Sequence, residues 1–121
     1  MVKGMMTGQN AELDKRSLGF NDVRDCALMH LKAIQVEEAK NQRFVCSEGD
    51  YWLREFATWM SEEFASKGFN IVTKEKAEGS SHQDKCSHAR AEQVLGITFS
   101  PIKQAGIDMV NSMVAAGNLK P

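Results

Sequence analysis

The sequence predicts a single α/β domain with about four helices and three or four short strands. Its 121 residues are enough for one domain with a modest core, and 42% of them are hydrophobic against 26% charged. Amphipathic helical patterns alternate with short runs of β-favouring residues, and cap or turn residues separate them. Since no internal repeat and no linker divides the chain, residues 1–121 are expected to form one unit.

The first third of the chain predicts an irregular leader, a short apolar segment and a helix. Residues 1–16 show no sustained period. Residues 17–20, SLGF, are apolar, and Asp22 can then cap a helix whose positive end also faces Asp25. The expected buried stripe of this helix consists of Ala27, Leu28, Leu31 and Ile34.

A strand and a long helix are expected next. Residues 42–48, QRFVCSE, contain β-favouring Phe44 and Val45 and run into the turn-forming EGD. The following helix, over 50–67, can start at Asp50 and ends where Gly68 suits a left-handed position. One face of it carries Leu53, Phe56, Met60 and Phe64, with Trp52 and Trp59 beside them.

The second half predicts two more strands and two more helices. Residues 69–76 favour a strand, and the polar stretch 77–85 a loop. Ser87 can cap a short helix that stops at Leu95 and Gly96, and 97–99, ITF, favour a third strand. Ser100 and Pro101 form a favourable helix start. This last helix ends before Gly117, and its apolar stripe comprises Ile102, Ala105, Gly106, Met109, Val110 and Met113.

Charge and composition argue against several classes of protein. The net charge of -1 and the pI near 6.3 lack the excess of Lys and Arg that nucleic acids and anionic membranes require. The opening fifteen residues have no apolar core of a signal peptide, and no apolar run is long enough to span a bilayer. A cytoplasmic location is therefore expected, and the three cysteines are expected to be reduced thiols.

The loop HQDKCSH raises the question of a metal site. His82, Cys86 and His88 are ligand types that zinc uses, but their spacing does not match a zinc motif and a fourth ligand is missing. A solvated loop is the preferred interpretation, and no metal is predicted. His30 is likewise expected to be structural, because no Asp or Ser partner is recognisable around it. Trp52 and Trp59 could stack a ligand, but packing is preferred.

Three stretches in the same order resemble a known family. GFNDVRDCALMHLKAI, NQRFVCSE and CSHARAEQVLGITFSPIKQAGIDMVNSMVAAGNL resemble the C-terminal portion of extended short-chain dehydrogenase/reductases. The resemblance is to the branch that includes dihydroflavonol reductase and cinnamoyl-CoA reductase, in the NAD-dependent epimerase/dehydratase superfamily. It covers about residues 17–119, with departures at Asn21, Cys26 and Arg90.

The resemblance implies the substrate-binding lobe of a larger enzyme, with 17–121 as the lobe-like region of a partial Rossmann-type domain. In the complete enzyme the 42–47 strand is expected at the edge of the large parallel sheet. The family's Gly-rich dinucleotide turn has no counterpart here, and Tyr51 is followed four residues later by Glu55 rather than by Lys. The cofactor, NADPH or NADH, is therefore implied only for the parent enzyme, and this chain alone is predicted to be inactive.

Two functional hypotheses remain open. In the first, the chain is a C-terminal fragment or subunit of an NAD(P)-dependent carbonyl reductase that shapes the pocket for a small carbonyl substrate. Its partner would be the missing Rossmann half, or another copy through exposed apolar faces. In the second, it is a freestanding non-catalytic α/β module that binds a protein. Phe20 and Asn21 are the candidate substrate-lining residues, although plain core is the preferred interpretation of Phe20.

Overall fold

The computed structural model describes residues 1–83 and 85–121, and within them it confirms the α/β class. This part of the chain contains five α-helices, four short strands and two single-turn 3-10 helices, Glu37–Ala39 and Ala65–Lys67. The helices are α1 (Val2–Met6), α2 (Val23–Gln35), α3 (Leu53–Phe64), α4 (Ala89–Leu95) and α5 (Ile102–Ala115). The strands are β1 (Leu13–Lys15), β2 (Ser17–Phe20), β3 (Gly49–Trp52) and β4 (Glu75–Gly79).

The strands form two separate pairs rather than one sheet. β2 pairs with β3 in antiparallel fashion, with Ser17 opposite Trp52 and Phe20 opposite Gly49. β1 pairs with β4 in parallel, and the register shifts between Leu13 and Lys15. The β2–β3 pair leads directly into α2 and α3, and it therefore sets where those two helices begin.

The main core lies between α3 and α5. The predicted apolar face of α3 is confirmed, because Leu53, Phe56, Met60 and Phe64 are all buried. Gly106 allows α5 to approach α3 closely, since a Cβ atom there would lie 2.7 Å from Cε2 of Phe56. The rest of the core includes Met5, Met6, Leu13, Phe69, Ile102, Val110 and Leu119.

A second, smaller core joins α2 to α4. It consists of Met29, Ala39, Ala91, Leu95 and Ile97, with Phe44 and Cys46 packed against it. Asp25 in the first turn of α2 accepts hydrogen bonds from the N–H and hydroxyl groups of Ser100, which precedes α5. These hydrogen bonds connect α2, which packs on the small core, to the start of α5, which contributes to the main core.

Several helix ends agree with the sequence. The Asp22 side chain accepts a hydrogen bond from the Arg24 N–H and caps α2. Gly68 and Gly96 follow their helices at φ 92° and 64°, conformations that favour glycine. The expected cap at Ser100 is wrong: α5 begins at Ile102 after Pro101, and the Ser100 hydroxyl is engaged by Asp25.

The predicted burial along α2 is wrong. Of the expected stripe, Leu28 is 39% exposed, Leu31 50% and Ile34 85%, and Ala27 is also exposed. The side of α2 that faces the protein instead carries Asp25 and Met29. The apolar face of this helix therefore points away from both cores.

The strand predictions also require correction. Residues 42–47 and 97–99 belong to no strand, and β4 starts at Glu75 rather than at 69. Residues 49–52, expected as a turn and helix start, form β3 because they pair with β2, and α3 consequently runs over 53–64 instead of 50–67. A segment forms a strand only if its backbone pairs with that of another segment. The sequence does not show which segments pair.

The expected irregular leader at 1–16 contains α1 and β1. Met5 and Met6 are almost completely buried in the main core. The Met5 carbonyl also accepts a hydrogen bond from the Val72 N–H at 2.9 Å. Burial of these two methionines, rather than a periodic pattern, stabilises the short helix. Met109, expected on the apolar stripe of the last helix, is 37% exposed, whereas Ile102 and Val110 of the same stripe are buried.

Candidate functional site

A cavity of about 460 Å³ opens where the end of β2 and the start of α2 meet α3 and α5. Most of its wall is apolar, and the charged side chains of Asp22, Arg24 and Asp108 lie along one part of the rim. The lining residues are Met1, Val2, Phe20, Asn21, Asp22, Val23, Arg24, Phe56, Ile102, Ala105, Gly106, Asp108, Met109 and Ser112. A concave, largely apolar space with a few fixed polar groups is typical of a small-molecule site.

Phe20 and Asn21, the two residues singled out from the sequence, lie side by side in this wall. The Phe20 ring stacks on Phe56 with centroids 5.0 Å apart, and it also meets the edge of Tyr51 at 6.3 Å. Phe20 therefore both packs against the main core and lines the cavity. That Phe20 and Asn21 contact a substrate stays a prediction.

The amide of Asn21 is held in place by two hydrogen bonds. Its Nδ2 group donates to the carbonyl oxygen of Asp22 and to Sγ of Cys46, each at 3.3 Å. The second bond connects the cavity wall to the 42–47 segment, so the orientation of Asn21 depends on where that segment lies.

An ion-pair group of Asp22, Arg24 and Asp108 closes the polar part of the rim. The Arg24 guanidinium bonds to both carboxylates and reaches Asp108 at 2.7 Å. The hydrogen bond from Arg24 is the main cause that lowers the pKa of Asp22, whereas for Asp108 the bond from Gln104 lowers the pKa first and Arg24 second. Both carboxylates raise the pKa of Arg24 in turn. Carboxylates paired in this way are poor proton acceptors, so neither Asp22 nor Asp108 is suited to act as a general base.

Most of the lining could not be found from the sequence. Arg24 is two residues after the cap residue Asp22, but its partner Asp108 is 84 residues away in the chain. Phe56 and Ile102 lie on predicted core stripes, and nothing in their spacing indicates that these buried side chains also border a cavity. Only the packing of α5 on α3 brings these residues to β2.

The other candidate residues do not meet at this cavity. Nδ1 of His30 is 2.8 Å from the carbonyl oxygen of Cys26 on the exposed side of α2. Trp52 ends β3, while Trp59 lies within α3 with its ring 5.2 Å from that of Tyr51. The two tryptophans are therefore not on a shared helix face as the sequence suggested.

Tyr51 has a different environment from that of a catalytic tyrosine. Its hydroxyl donates to Oε2 of Glu48 at 2.8 Å. Burial and this carboxylate raise the pKa of Tyr51 to about 12. A neighbouring lysine would shift the pKa in the opposite direction.

The residues of the suggested metal loop are engaged separately. The Cys86 N–H donates to Asp50 at 2.7 Å, and the His88 ring lies 4.8 Å from that of Phe99. Asp84, in the middle of this loop, lies outside the described residues. Across the remainder of the chain, no three His, Cys, Asp or Glu side chains are grouped as metal ligands would be.

No described helix combines the length and hydropathy needed to cross a membrane.

No family model matches the chain. Its sequence is 26% identical over 99 residues to the NADPH-dependent methylglyoxal reductase GRE2 of Saccharomyces cerevisiae, which covers 79% of this chain and 29% of that protein. The fold matches the crystal structure of yeast methylglyoxal/isovaleraldehyde reductase Gre2 complexed with NADPH, with a TM-score of 0.75, 22% identity and coverage of 94% of this chain and 38% of that chain.

A second solved structure gives the same result. Gre2 from Candida albicans matches with a TM-score of 0.71 and 22% identity over 93% of this chain and 34% of that chain. The chain thus spans about a third of the length of the reductases it matches. It is similar in sequence to part of an NADPH-dependent reductase, and its fold is that of part of a Rossmann-like reductase.

Proposed function

We propose that this chain is the substrate-binding portion of an NAD(P)-dependent carbonyl reductase. The observation that carries this function is the cavity at the β2–α2 junction, in a chain whose sequence is similar to a methylglyoxal reductase over 79% of its length. The three ordered stretches that resemble the C-terminal portion of extended short-chain reductases support the C-terminal placement and the branch that includes dihydroflavonol reductase.

In this role the apolar wall would hold the body of a small aldehyde or ketone. Phe20, which stacks on the buried Phe56, offers an aromatic surface, and the amide of Asn21 is a polar group in the same wall. The ion-pair group at Asp22, Arg24 and Asp108 keeps one side of the rim in place. This portion would orient the substrate and exclude water, while hydride transfer is the chemistry that a bound nicotinamide cofactor supplies.

The positions of the first glycines in the chain support the proposal that the dinucleotide site lies in another part of a reductase. Such a site needs a strand that leads through a Gly-rich turn into a helix N-terminus. Here Gly4 lies inside α1 and Gly8 follows that helix, and no described strand leads into either. We therefore assign cofactor binding and proton supply to the part of a reductase that this chain does not contain.

A complementation assay tests this function. The complementary polypeptide is the yeast methylglyoxal reductase without the segment that this chain matches. Consumption of NADPH with methylglyoxal is measured for each polypeptide alone and for the mixture. We expect turnover only in the mixture, and an increase of KM when Phe20 is replaced by Ala. No turnover in a mixture that demonstrably associates would contradict the proposed function.

The alternative is a freestanding module that binds a protein and has no role in catalysis. The exposed apolar face of α2 favours it, because such faces mark interaction sites. Formation of a complex without turnover in the same assay would support this alternative.

A further inference from the structure

Two of the three cysteines are neighbours at the place where α2 meets the 42–47 segment. Cys26 lies near the start of α2, and Cys46 lies in the 42–47 segment and packs against the small core. The side chain of Cys26 is a hydrogen-bond partner of the Cys46 thiol. Both thiols are free, and neither is completely buried.

The side chain of Asn21 connects this pair to the cavity. Asn21 lines the cavity, and its Nδ2 group donates to Sγ of Cys46 at 3.3 Å. The same amide donates to the carbonyl oxygen of Asp22, which also accepts a hydrogen bond from the Cys26 N–H at 3.0 Å. Asn21 is therefore bonded directly to Cys46 and shares a carbonyl acceptor with the backbone of Cys26.

The two thiols have different surroundings. Sγ of Cys26 lies 3.9 Å from Nδ1 of His30, on the exposed side of α2. Cys46 lies against the small core, and burial is the main cause that raises its pKa to about 11. The thiolate is the attacking species in thiol–disulfide exchange, so Cys46 is poorly suited to react first with an oxidant. We assign the first step to Cys26.

We propose that Cys26 and Cys46 form a reversible oxidation site, at which a small-molecule disulfide such as oxidised glutathione converts the two thiols into an intramolecular disulfide. The Cys26 thiolate attacks one sulfur of oxidised glutathione, and one glutathione leaves. Cys46 then loses its proton and attacks the Cys26 sulfur of the mixed disulfide, which releases the second glutathione. Two electrons and two protons thereby pass from the protein thiols to glutathione.

Oxidation at this site changes the cavity wall through Asn21. The bond to Cys26 replaces the thiol hydrogen of Cys46 and fixes the position of its sulfur, because disulfide geometry is narrow. The amide of Asn21 then has to follow this sulfur or lose the hydrogen bond to it. The wall of the cavity therefore differs between the reduced and the oxidised chain. This inference does not depend on the proposed function, since the disulfide forms without substrate or cofactor.

The oxidation site is tested on the Cys86→Ala variant, which lacks the exposed third thiol. The folded variant is incubated with oxidised glutathione, and its intact mass is followed over time. We expect the mass to fall by that of two hydrogen atoms. The tryptic peptides 25–32 and 44–54, which carry Cys26 and Cys46, should then be joined. Dithiothreitol should separate them again.

Two further variants in the Cys86→Ala background separate the roles of the thiols. With Cys46→Ala the mixed disulfide has no second thiol to resolve it, so we expect a glutathione adduct to accumulate on Cys26. With Cys26→Ala we expect an adduct on Cys46 to form at least about tenfold more slowly, because burial keeps its thiolate fraction low. Circular dichroism checks that each variant remains folded.

The NMR resonance of the Asn21 side-chain amide reports on the cavity wall. We expect this resonance to shift when the Cys86→Ala variant is oxidised and to return on reduction. An unchanged resonance in the oxidised chain would overturn the connection between the disulfide and the cavity.

Other outcomes would overturn the oxidation site itself. One is a stable glutathione adduct, or disulfides only between chains, in the folded Cys86→Ala variant. Another is formation of the intramolecular disulfide no faster in the folded variant than in urea, because the fold would then not bring the two thiols together.

Discussion

The Asp25 carboxylate accepts two hydrogen bonds from Ser100, one from the backbone N–H at 2.7 Å and one from the hydroxyl at 3.1 Å. Asp25 is 7% exposed and lies in the first turn of α2, while Ser100 comes two residues before α5. These bonds connect two elements that are 75 residues apart in the chain and that both contribute to the cavity wall.

Replacement of Asp25 by Ala is expected to lower the free energy of unfolding by about 1–3 kcal/mol, because the Ser100 N–H loses its partner. Ser100→Ala, which removes only the hydroxyl bond, is expected to cost about 0.5–1.5 kcal/mol. Urea denaturation followed by circular dichroism measures both. Asp14→Ala, which removes an exposed ion pair with Lys76, is the control and should change little. Equal effects of Asp25→Ala and the control would contradict this role of Asp25.

Gly106→Ala tests the close approach of α5 to α3. The added Cβ atom would lie 2.7 Å from Cε2 of Phe56 and 2.9 Å from Cε of Met60, so the two helices must separate or the side chains must move. We expect a loss of about 1–3 kcal/mol in urea denaturation.

Gly4→Ala is the matched control for this substitution. A Cβ atom there meets its nearest neighbours at an ordinary 3.5 Å, inside α1. We expect no loss of stability, and up to about 1 kcal/mol of gain from the higher helix propensity of alanine. If Gly106→Ala behaves like this control, the α3–α5 contact is looser than described.

Cys46 is expected to react slowly with iodoacetamide. Burial, followed by its interaction with the Cys26 side chain, raises the pKa of Cys46 from 9.0 to about 11. The thiolate fraction at mildly alkaline pH is then about a hundredfold below that of an ordinary thiol. Peptide mass spectrometry at timed intervals should show exposed Cys86 labelled first. Cys26→Ala should accelerate labelling of Cys46 only in part, because burial is the larger cause. Labelling of Cys46 as fast as Cys86 would contradict the raised pKa of Cys46.

Tyr51 is expected to stay protonated at pH values that ionise an ordinary tyrosine. It is the only tyrosine in the chain, so the absorbance of tyrosinate reports on it alone. Its pKa is raised from 10.0 to about 12 by burial first and by Glu48 second. The neutral form is therefore favoured in the folded state, and the associated stability is complete below pH 10 and declines as the pH rises toward 12.

Glu48→Gln should lower the pKa of Tyr51 part of the way toward 10.0, since the charge is removed and burial remains. The same spectroscopic titration measures the change. A titration of the unchanged protein centred near 10 would show that Tyr51 is solvated.

The helix ends show what could be predicted along the chain. Asp22 caps α2 as expected, and Gly68 and Gly96 take the left-handed conformations that their positions after helices suggested. These features depend on a few neighbouring residues, so local sequence determines them. The placement of Phe20 and Asn21 at the β2–α2 junction follows from the same local pattern.

The strands and the rest of the cavity show what could not be predicted. Residues 42–48 and 97–99 have β-favouring residues but no ladder, while 49–52 have turn residues and pair with β2. A strand requires a partner, and the partner is set by distant parts of the chain. In the same way, Arg24 and Asp108, 84 residues apart in the chain, become neighbours only when the fold brings α2 and α5 together.

The sequence by itself determined the α/β class, four of the five described α-helices, the helix ends at Asp22, Gly68 and Gly96, and which side of α2 is apolar. The tertiary structure decided which strands pair, that α2 faces inward through Asp25 and Met29 rather than through its predicted apolar stripe, and that a cavity forms beside Phe20 and Asn21. The physical reason is the separation along the chain of the residues that interact. Caps and helical periodicity arise from contacts within one or two turns, whereas burial and strand pairing depend on residues far apart in the chain.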